Sequence, residues 1–109
     1  MKEPLLPKTK TKKSEVPQYP GWHPLHVAAF DGNIEIATWL INDGAYINAV
    51  DVYGRTPLHY ARRRKYGKKN DNVARLLIEN GATDFSPTDI KGRTPVDIYI
   101  EYNNGAPIF

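Results

Sequence analysis

The sequence predicts an all-α fold, a short solenoid of helix–turn–helix repeats, and three observations support this prediction. The motif His-Pro-Leu-His at 23–26 recurs 33 residues later as Thr-Pro-Leu-His at 56–59. It returns in altered form after a further 38 residues, as Thr-Pro-Val-Asp at 94–97. The pair Gly-Ala follows the first two copies, at 44–45 and 81–82. Self-similarity at such a period is typical of stacked repeat architectures.

The first helix of each unit begins at this motif. Thr56 is predicted to be the N-cap, because its hydroxyl can accept a hydrogen bond from a backbone N–H. Pro57 suits the first helical position, where no N–H is needed. Leu58 and Ala61 give this short helix an apolar side that can pack closely.

A second helix is predicted over Ile34 to Asn42, with its counterpart from about Asn72 to Asn80. Their apolar residues recur at helical spacing, and they are Ile36, Ala37, Trp39, Leu40 and Ile41 in the first and Val73, Leu76, Leu77 and Ile78 in the second. We expect Trp39 in the core between the second helices. Gly44 and Gly81 end these helices, where a left-handed residue costs least.

The turns between units are also repeated, since Asp51 to Arg55 (DVYGR) is matched by Asp89 to Arg93 (DIKGR). Asp51 and Asp89 are interpreted as turn residues whose side chains bind backbone N–H groups. The second unit has five extra residues, four between Arg62 and Asn72 and one between Gly81 and Asp89. The third unit contributes a single helix, Pro95 to about Tyr102.

With Gly54 and the Gly-Ala pair at 81–82, the motif at 56–59 resembles the ankyrin repeat signature. The resemblance covers Gly21 to about Tyr102, in units 21–51, 52–89 and a partial 90–102. It implies a solenoid with turn or hairpin tips. His23 stands where Thr is usual, so the first unit is similar to an N-terminal cap. A tail, 1–20, and a C-terminal segment, 103–109, flank the repeats.

Charge is unevenly distributed around a net value of +3 for the 109 residues. Residues 1–17 carry +3, and the tail 1–20, with four of the nine prolines, is predicted to be extended and basic. The stretch 62–69 holds six cations and no acid, and the rest of the chain carries −6. We call this stretch the basic segment; its cations are Arg62, Arg63, Arg64, Lys65, Lys68 and Lys69.

Catalysis and cofactor binding find no support in the sequence. The chain has no cysteine, so disulfides, thiolate zinc sites and cysteine nucleophiles are excluded. His23 and His26 are spaced for a metal, but no third ligand follows, so we expect no metal site. His26 and His59 share one repeat position, where a ring can tie neighbouring loops together. We expect no enzyme activity, cofactor, small-molecule substrate or insertion into a membrane.

The resemblance implies that the chain binds proteins through its tips and the first-helix side of a concave face. Matching positions in this sequence give the candidate residues Trp22, Phe30, Asp31, Val52, Tyr53, Arg55, Arg63, Arg64, Ile90, Lys91, Arg93 and Tyr102. Trp, Tyr and Arg are enriched at binding hot spots. For Trp22 and Phe30, packing within the array is an equally open interpretation.

We therefore predict a non-catalytic protein-interaction module, a structural or accessory subunit of a larger assembly. Trp22, Tyr53 and Arg55 would anchor a partner, the basic segment would steer it, and the tail would thread along a neighbour. The alternative is a binder of nucleic acid or another anionic polymer, such as a ribonucleoprotein or microtubule-associated component, using the tail and Arg62 to Lys69. An intracellular location is expected, with the cytoplasm first and the nucleus or an organelle also compatible.

Overall fold

The computed structural model describes residues 21–103, and this part of the chain forms five α-helices without a β-strand. The helices are α1 (Pro24–Asp31), α2 (Ile34–Asn42), α3 (Pro57–Ala61), α4 (Lys68–Glu79) and α5 (Pro95–Tyr102). The predicted all-α class is confirmed. The predicted tail, 1–20, and the C-terminal segment after residue 103 lie outside the described residues.

The helices lie in two layers. In the first-helix layer α1 contacts α3 and α3 contacts α5, whereas α2 contacts α4 in the second-helix layer. Each second helix also packs on the first helix of its own unit, α2 on α1 and α4 on α3. The core fills the space between the layers with buried aliphatic side chains, among them Leu25, Leu40, Leu58, Val73 and Leu77.

The first helices begin as predicted. Thr56 and Thr94 are N-caps whose hydroxyls accept hydrogen bonds from the backbone N–H three residues later. Proline follows each of them at the first helical position. His23 is the corresponding N-cap of α1 and lacks a hydroxyl for this bond. Its own backbone N–H donates to Nδ1 of His26 at 3.0 Å.

The second helices end in the same way. The N–H of Ala45 donates to the carbonyl of Leu40, and the N–H of Ala82 donates to that of Leu77, both at 3.0 Å. The glycines between, Gly44 and Gly81, have φ of 93° and 111°, in the region that favours glycine. The N–H groups of these glycines donate to the carbonyls of Ile41 and Ile78. Two hydrogen bonds at each helix end therefore satisfy helical carbonyls.

Two predictions about the second helices are wrong. The helix α4 begins at Lys68 and not near Asn72, because the inserted residues extend its first turn instead of lengthening only the loop. Trp39 is 38% exposed and is not part of the buried core. Among the helices of the described residues, α1 and α4 make the main contacts with α2, and Trp39 lies beyond the surface that they cover.

Candidate functional site

The turn after the first unit is organised by the buried carboxylate of Asp51. Its Oδ1 accepts the backbone N–H groups of Tyr53 and Arg55, both at 2.9 Å. Its Oδ2 accepts the indole N–H of Trp22 at 3.0 Å and the hydroxyl of Tyr60. Burial of the side chain and, to a smaller extent, the hydrogen bond to Asp51 raise the pKa of Tyr60 to about 12. The carboxylate therefore fixes the turn and binds it to the first-helix layer.

Asp89 occupies the same position in the next turn but has different partners. Its Oδ1 accepts the N–H groups of Lys91 and Arg93 at 2.9 Å, as Asp51 does in its own turn. Its Oδ2 accepts Nε of Arg55 and Nε of Arg93, each at 3.2 Å. Burial would raise the pKa of Asp89, but these hydrogen bonds and cations outweigh it and lower the pKa to about 2.

The histidines tie neighbouring turns together, as the sequence predicted. In His59, Nδ1 accepts the N–H of Thr56 at 3.0 Å and Nε2 donates to the carbonyl of Arg93 at 2.9 Å. His26 bonds in the same way to the N–H of His23 and the carbonyl of Arg55. Each ring uses one nitrogen as acceptor and one as donor, which requires the neutral form. Burial lowers the pKa of both histidines.

The histidines of the described residues are not part of a metal-binding cluster. Within residues 21–103, no group of three or more His, Cys, Asp or Glu side chains could hold a metal ion. A cavity of about 240 Å³ lies between the start of α1 and the end of α2. Its lining is mostly apolar, with Leu25, Leu40 and Ala45, and the titratable side chains of His23 and Asp43 also border it.

Trp22 and Phe30 belong to an aromatic cluster on the first-helix layer. The ring of Trp22 lies 4.7 Å from that of Tyr60 and 5.7 Å from that of Phe30, between centroids. Trp22 and Phe30 are half-buried, while Tyr60 is fully buried. Both candidate residues therefore pack the array and also reach its surface.

The arginines proposed as partner contacts include several that are already bound within the chain. Arg55 and Arg93 are held by Asp89, and Arg93 also donates to Glu101. Arg64 donates two hydrogen bonds to Asp71, at 2.7 and 2.9 Å. The guanidinium groups of these arginines already pair with carboxylates of the same chain, so these groups are less available to a partner.

The basic segment runs from the end of α3 to the first turn of α4. Lys68 and Lys69 lie at the N-terminal end of α4, where the helix dipole disfavours positive charge. Arg62 donates to both carboxylate oxygens of Asp84, at 2.9 and 2.8 Å. The segment is thus partly neutralised by acids that lie outside it in sequence.

A buried residue that sequence reasoning missed positions this segment. Asn70 is fully buried; its amide donates to the carbonyls of Ala29 and Phe30, at 2.7 and 3.1 Å. Its side-chain oxygen accepts the N–H of Tyr66. One side chain therefore satisfies the end of α1 and fixes the loop before α4. No repeat equivalent could have revealed it, since it lies in the insertion.

The remaining candidate residues are more accessible. At the two tips, Val52 is 57% exposed and Ile90 is 67% exposed. The N–H of Ile90 donates to the carbonyl of Tyr53, and this hydrogen bond joins the tips. Asp31, Lys91 and Tyr102 are exposed. Arg63 lies between Phe30 and Tyr102, which brings side chains of α1, the loop after α3, and α5 together.

Comparison with known proteins agrees with the repeat pattern. The family model described as "Ankyrin repeats (3 copies)" matches residues 3–89, which begins upstream of the Gly21 start predicted from the pattern. The match covers well over half of the chain, and the chain belongs to the ankyrin repeat family. No helix in the described residues is long and apolar enough to cross a membrane.

The curated relatives that this chain matches are longer proteins. Rabankyrin-5 of Mus musculus is 36% identical over 84 residues, which is 77% of this chain but 7% of the relative. A putative ankyrin repeat protein of Rickettsia bellii is 38% identical over 86 residues, 73% of this chain and 48% of the relative. The RelA-associated inhibitor of Mus musculus is 33% identical over 90 residues, 82% of this chain and 10% of the relative. The chain thus spans half or less of each of these relatives.

Proposed function

We propose that this chain is a non-catalytic adaptor that binds a protein through its tips and the exposed side of its first-helix layer. Ankyrin repeats are generally protein–protein interaction modules. One observation carries the assignment of this face: Phe30, Arg63 and Tyr102 meet across the first-helix layer. The tip residues Val52 and Ile90 are exposed as well. Aromatic and Arg side chains are enriched where interfaces are strongest.

The proposal extends to a role as a structural or accessory subunit of a larger assembly, in which residues 1–20 thread along a neighbouring subunit. Its support is the basic, proline-rich composition of the tail. The name of the RelA-associated inhibitor describes that relative as associated with another protein, which supports a binding role here. The alternative of an anionic-polymer binder gains no support from the family match. Two of the six cations of the basic segment, Arg62 and Arg64, already form ion pairs with Asp84 and Asp71.

The test is affinity capture from native extract, at about 50 and 300 mM salt and with nuclease, since phosphate binding weakens steeply with salt. Val52→Asp combined with Ile90→Asp places two charges on the tips. Tyr46→Asp is the matched control, because Tyr46 is 72% exposed and lines the cavity between α1 and α2. We expect the wild type and the control to retain one defined set of proteins that the tip variant loses.

Two results would contradict the proposal. Release of the captured proteins by nuclease would indicate that nucleic acid bridges them. Equal capture by the tip variant and the wild type would move the binding surface away from the tips.

A further inference from the structure

The basic segment contains two kinds of cation. Arg62 and Arg64 each donate two hydrogen bonds to one carboxylate, of Asp84 and Asp71. In residues 21–103, the side chains of Arg63 and Lys65 have neither an ion pair nor a hydrogen-bond acceptor. From residue 62 to residue 65, side chains that pair with acids of the chain therefore alternate with side chains that do not.

Arg63 and Lys65 alternate with three aromatic rings. The guanidinium carbon of Arg63 lies 4.7 Å from the ring centroid of Tyr102 and 5.6 Å from that of Phe30. The ammonium nitrogen of Lys65 lies 5.6 Å from the same Phe30 centroid and 5.8 Å from that of Tyr66. We call this row the aromatic–cation ladder; its members in spatial order are Tyr102, Arg63, Phe30, Lys65 and Tyr66.

The ladder is held in place by the fold. Asn70 bonds to the carbonyl of Phe30 on one side and to the N–H of Tyr66 on the other. Arg64, the residue between the two cations, has φ of 55° and is fixed by Asp71 and by a bond to Asn103. Arg63 and Lys65 therefore start from a fixed backbone, which reduces the entropy lost when they bind a ligand.

The chemistry of the ladder suits carboxylates. Attraction to the aromatic rings uses none of the N–H donors of Arg63, and a guanidinium matches a carboxylate with two parallel hydrogen bonds. Lys65 supplies a second cation two residues along the chain. Exposed Lys68 and Lys69 add to the positive potential at the start of α4. No acid of the described residues neutralises this pair, so a complementary ligand is anionic.

We propose that the aromatic–cation ladder binds an extended acidic segment of the protein partner, with Arg63 pairing with one carboxylate and Lys65 with a second. Residues two apart in an extended chain lie about 7 Å from each other on the same side. Two such carboxylates can each approach one of the cations, which both lie 5.6 Å from the Phe30 centroid. Nucleic acid fits less well, because the rings that would stack on bases already have cations beside them. This inference rests on the proposed function and names the chemistry of the partner.

Fluorescence anisotropy with the full-length chain tests the inference. The probe is a labelled peptide that alternates Glu and Gly, and its control carries Gln in place of Glu. We expect the Glu peptide alone to bind, at about 50 mM salt where screening is weak. Arg63→Gln should weaken binding about tenfold and Lys65→Gln about threefold, because each removes one charged hydrogen-bond partner.

Matched variants separate the ladder from general charge. Arg75→Gln removes the same charge from an exposed position on α4 and should change affinity less than about twofold, since distant charges are screened. Arg63→Lys keeps the charge without the planar fork and should lie between the wild type and Arg63→Gln. Tyr102→Leu, at a residue 47% exposed, should weaken binding by removing one ring that orients Arg63. Circular dichroism verifies that each variant is folded.

Three results would overturn the inference. The Glu peptide could fail to bind, the Arg75→Gln variant could lose as much affinity as Arg63→Gln, or oligothymidylate or phosphatidylserine vesicles could bind more tightly through Arg63. The proposed function is judged separately by affinity capture. If Arg63→Gln captures the wild-type proteins while the tip variant loses them, the function stands and the acidic partner segment does not.

Discussion

The two junctions between successive units have the same skeleton and different surroundings. The first junction is built on His26 and Asp51, the second on His59 and Asp89. In both, the histidine donates to a carbonyl of the next turn, and the aspartate accepts two backbone N–H groups of its own turn. The remaining carboxylate oxygen meets aromatic donors at the first junction and arginines at the second.

The difference shows that one repeat position can pack aromatic side chains at one junction and neutralise arginines at the other. At the first junction the aspartate joins Trp22 and Tyr60 into the packed layer. At the second junction it neutralises Arg55 and Arg93, which remain one-fifth exposed. The same substitution at Asp51 and at Asp89 should therefore change the free energy of unfolding by different amounts.

The largest expected effect comes from removing the aspartates. Asp51→Ala removes a buried carboxylate that accepts two backbone N–H groups, an indole N–H and a hydroxyl. We expect a loss of about 3 kcal/mol in the free energy of unfolding. Asp89→Ala should cost about 2 kcal/mol, because Arg55 and Arg93 can turn to solvent. Urea unfolding followed by circular dichroism measures both. A larger loss for Asp89→Ala would reverse the comparison.

Unlike the two aspartates, the two histidines should contribute equally to the free energy of unfolding. His26→Ala and His59→Ala each remove one acceptor and one donor from the same places in the skeleton. We expect each to lower the free energy of unfolding by about 2 kcal/mol. Thermal and urea unfolding of the two variants give the values. A large inequality would show that the shared skeleton is not energetically equivalent at the two junctions.

The pH dependence follows from the same rings. Burial lowers the pKa of His26 and His59 from 6.5, so the unfolded chain binds more protons than the folded chain below that pH. Stability should therefore fall as the pH decreases from about 7.5 to 5.5. The nearby groups are Asp51 and His23 for His26, and Asp89, Arg55 and Asp51 for His59.

A double replacement, His26→Gln with His59→Gln, should flatten this dependence between about pH 7.5 and 5.5. Asp89 acts in a separate range, because its pKa of about 2 lies below the ordinary 3.8 and its contribution is lost only as the pH falls through these values. Urea titrations at several pH values distinguish the two ranges. An unchanged slope in the double variant would contradict the assignment to the histidines.

The smallest expected effect is at Trp39, outside both junctions. Because its side chain is 38% exposed, Trp39→Ser should lower the free energy of unfolding by about 1 kcal/mol or less. The interpretation from sequence alone, a core residue, would require a loss of several kcal/mol. Urea unfolding decides between them, with Leu40→Ala as the buried reference on the same helix.

The sequence predicted the residues that repeat and failed where the repeat changes. Thr56, Asp51 and His59 have local roles in caps and turns, so their types and spacing were sufficient. The start of α4 was misplaced because the insertion has no counterpart in the first unit. Trp39 was assigned to the core because helical spacing identifies a stripe without showing which elements cover it.

The candidate surface was predictable only as a set of positions. Phe30, Arg63 and Tyr102 were all named from the repeat pattern, but their contacts join α1, the loop after α3, and α5. Asn70, which bonds to the carbonyl of Phe30, was not predicted. The internal pairing of Arg62 and Arg64 was also hidden, since Asp84 and Asp71 lie outside the basic segment. Which cations remain available to a partner could therefore be read only from the fold.

The most direct test of the central claim is site-specific photo-crosslinking of the full-length chain in native extract. A photoreactive amino acid is placed at Val52, on the tip, or at Asn72, exposed on α4 in the second-helix layer. A partner bound to the tips and first-helix layer predicts crosslinks to a defined protein from position 52 and none from position 72. Equal crosslinking from both positions, or crosslinking from position 72 alone, would contradict it.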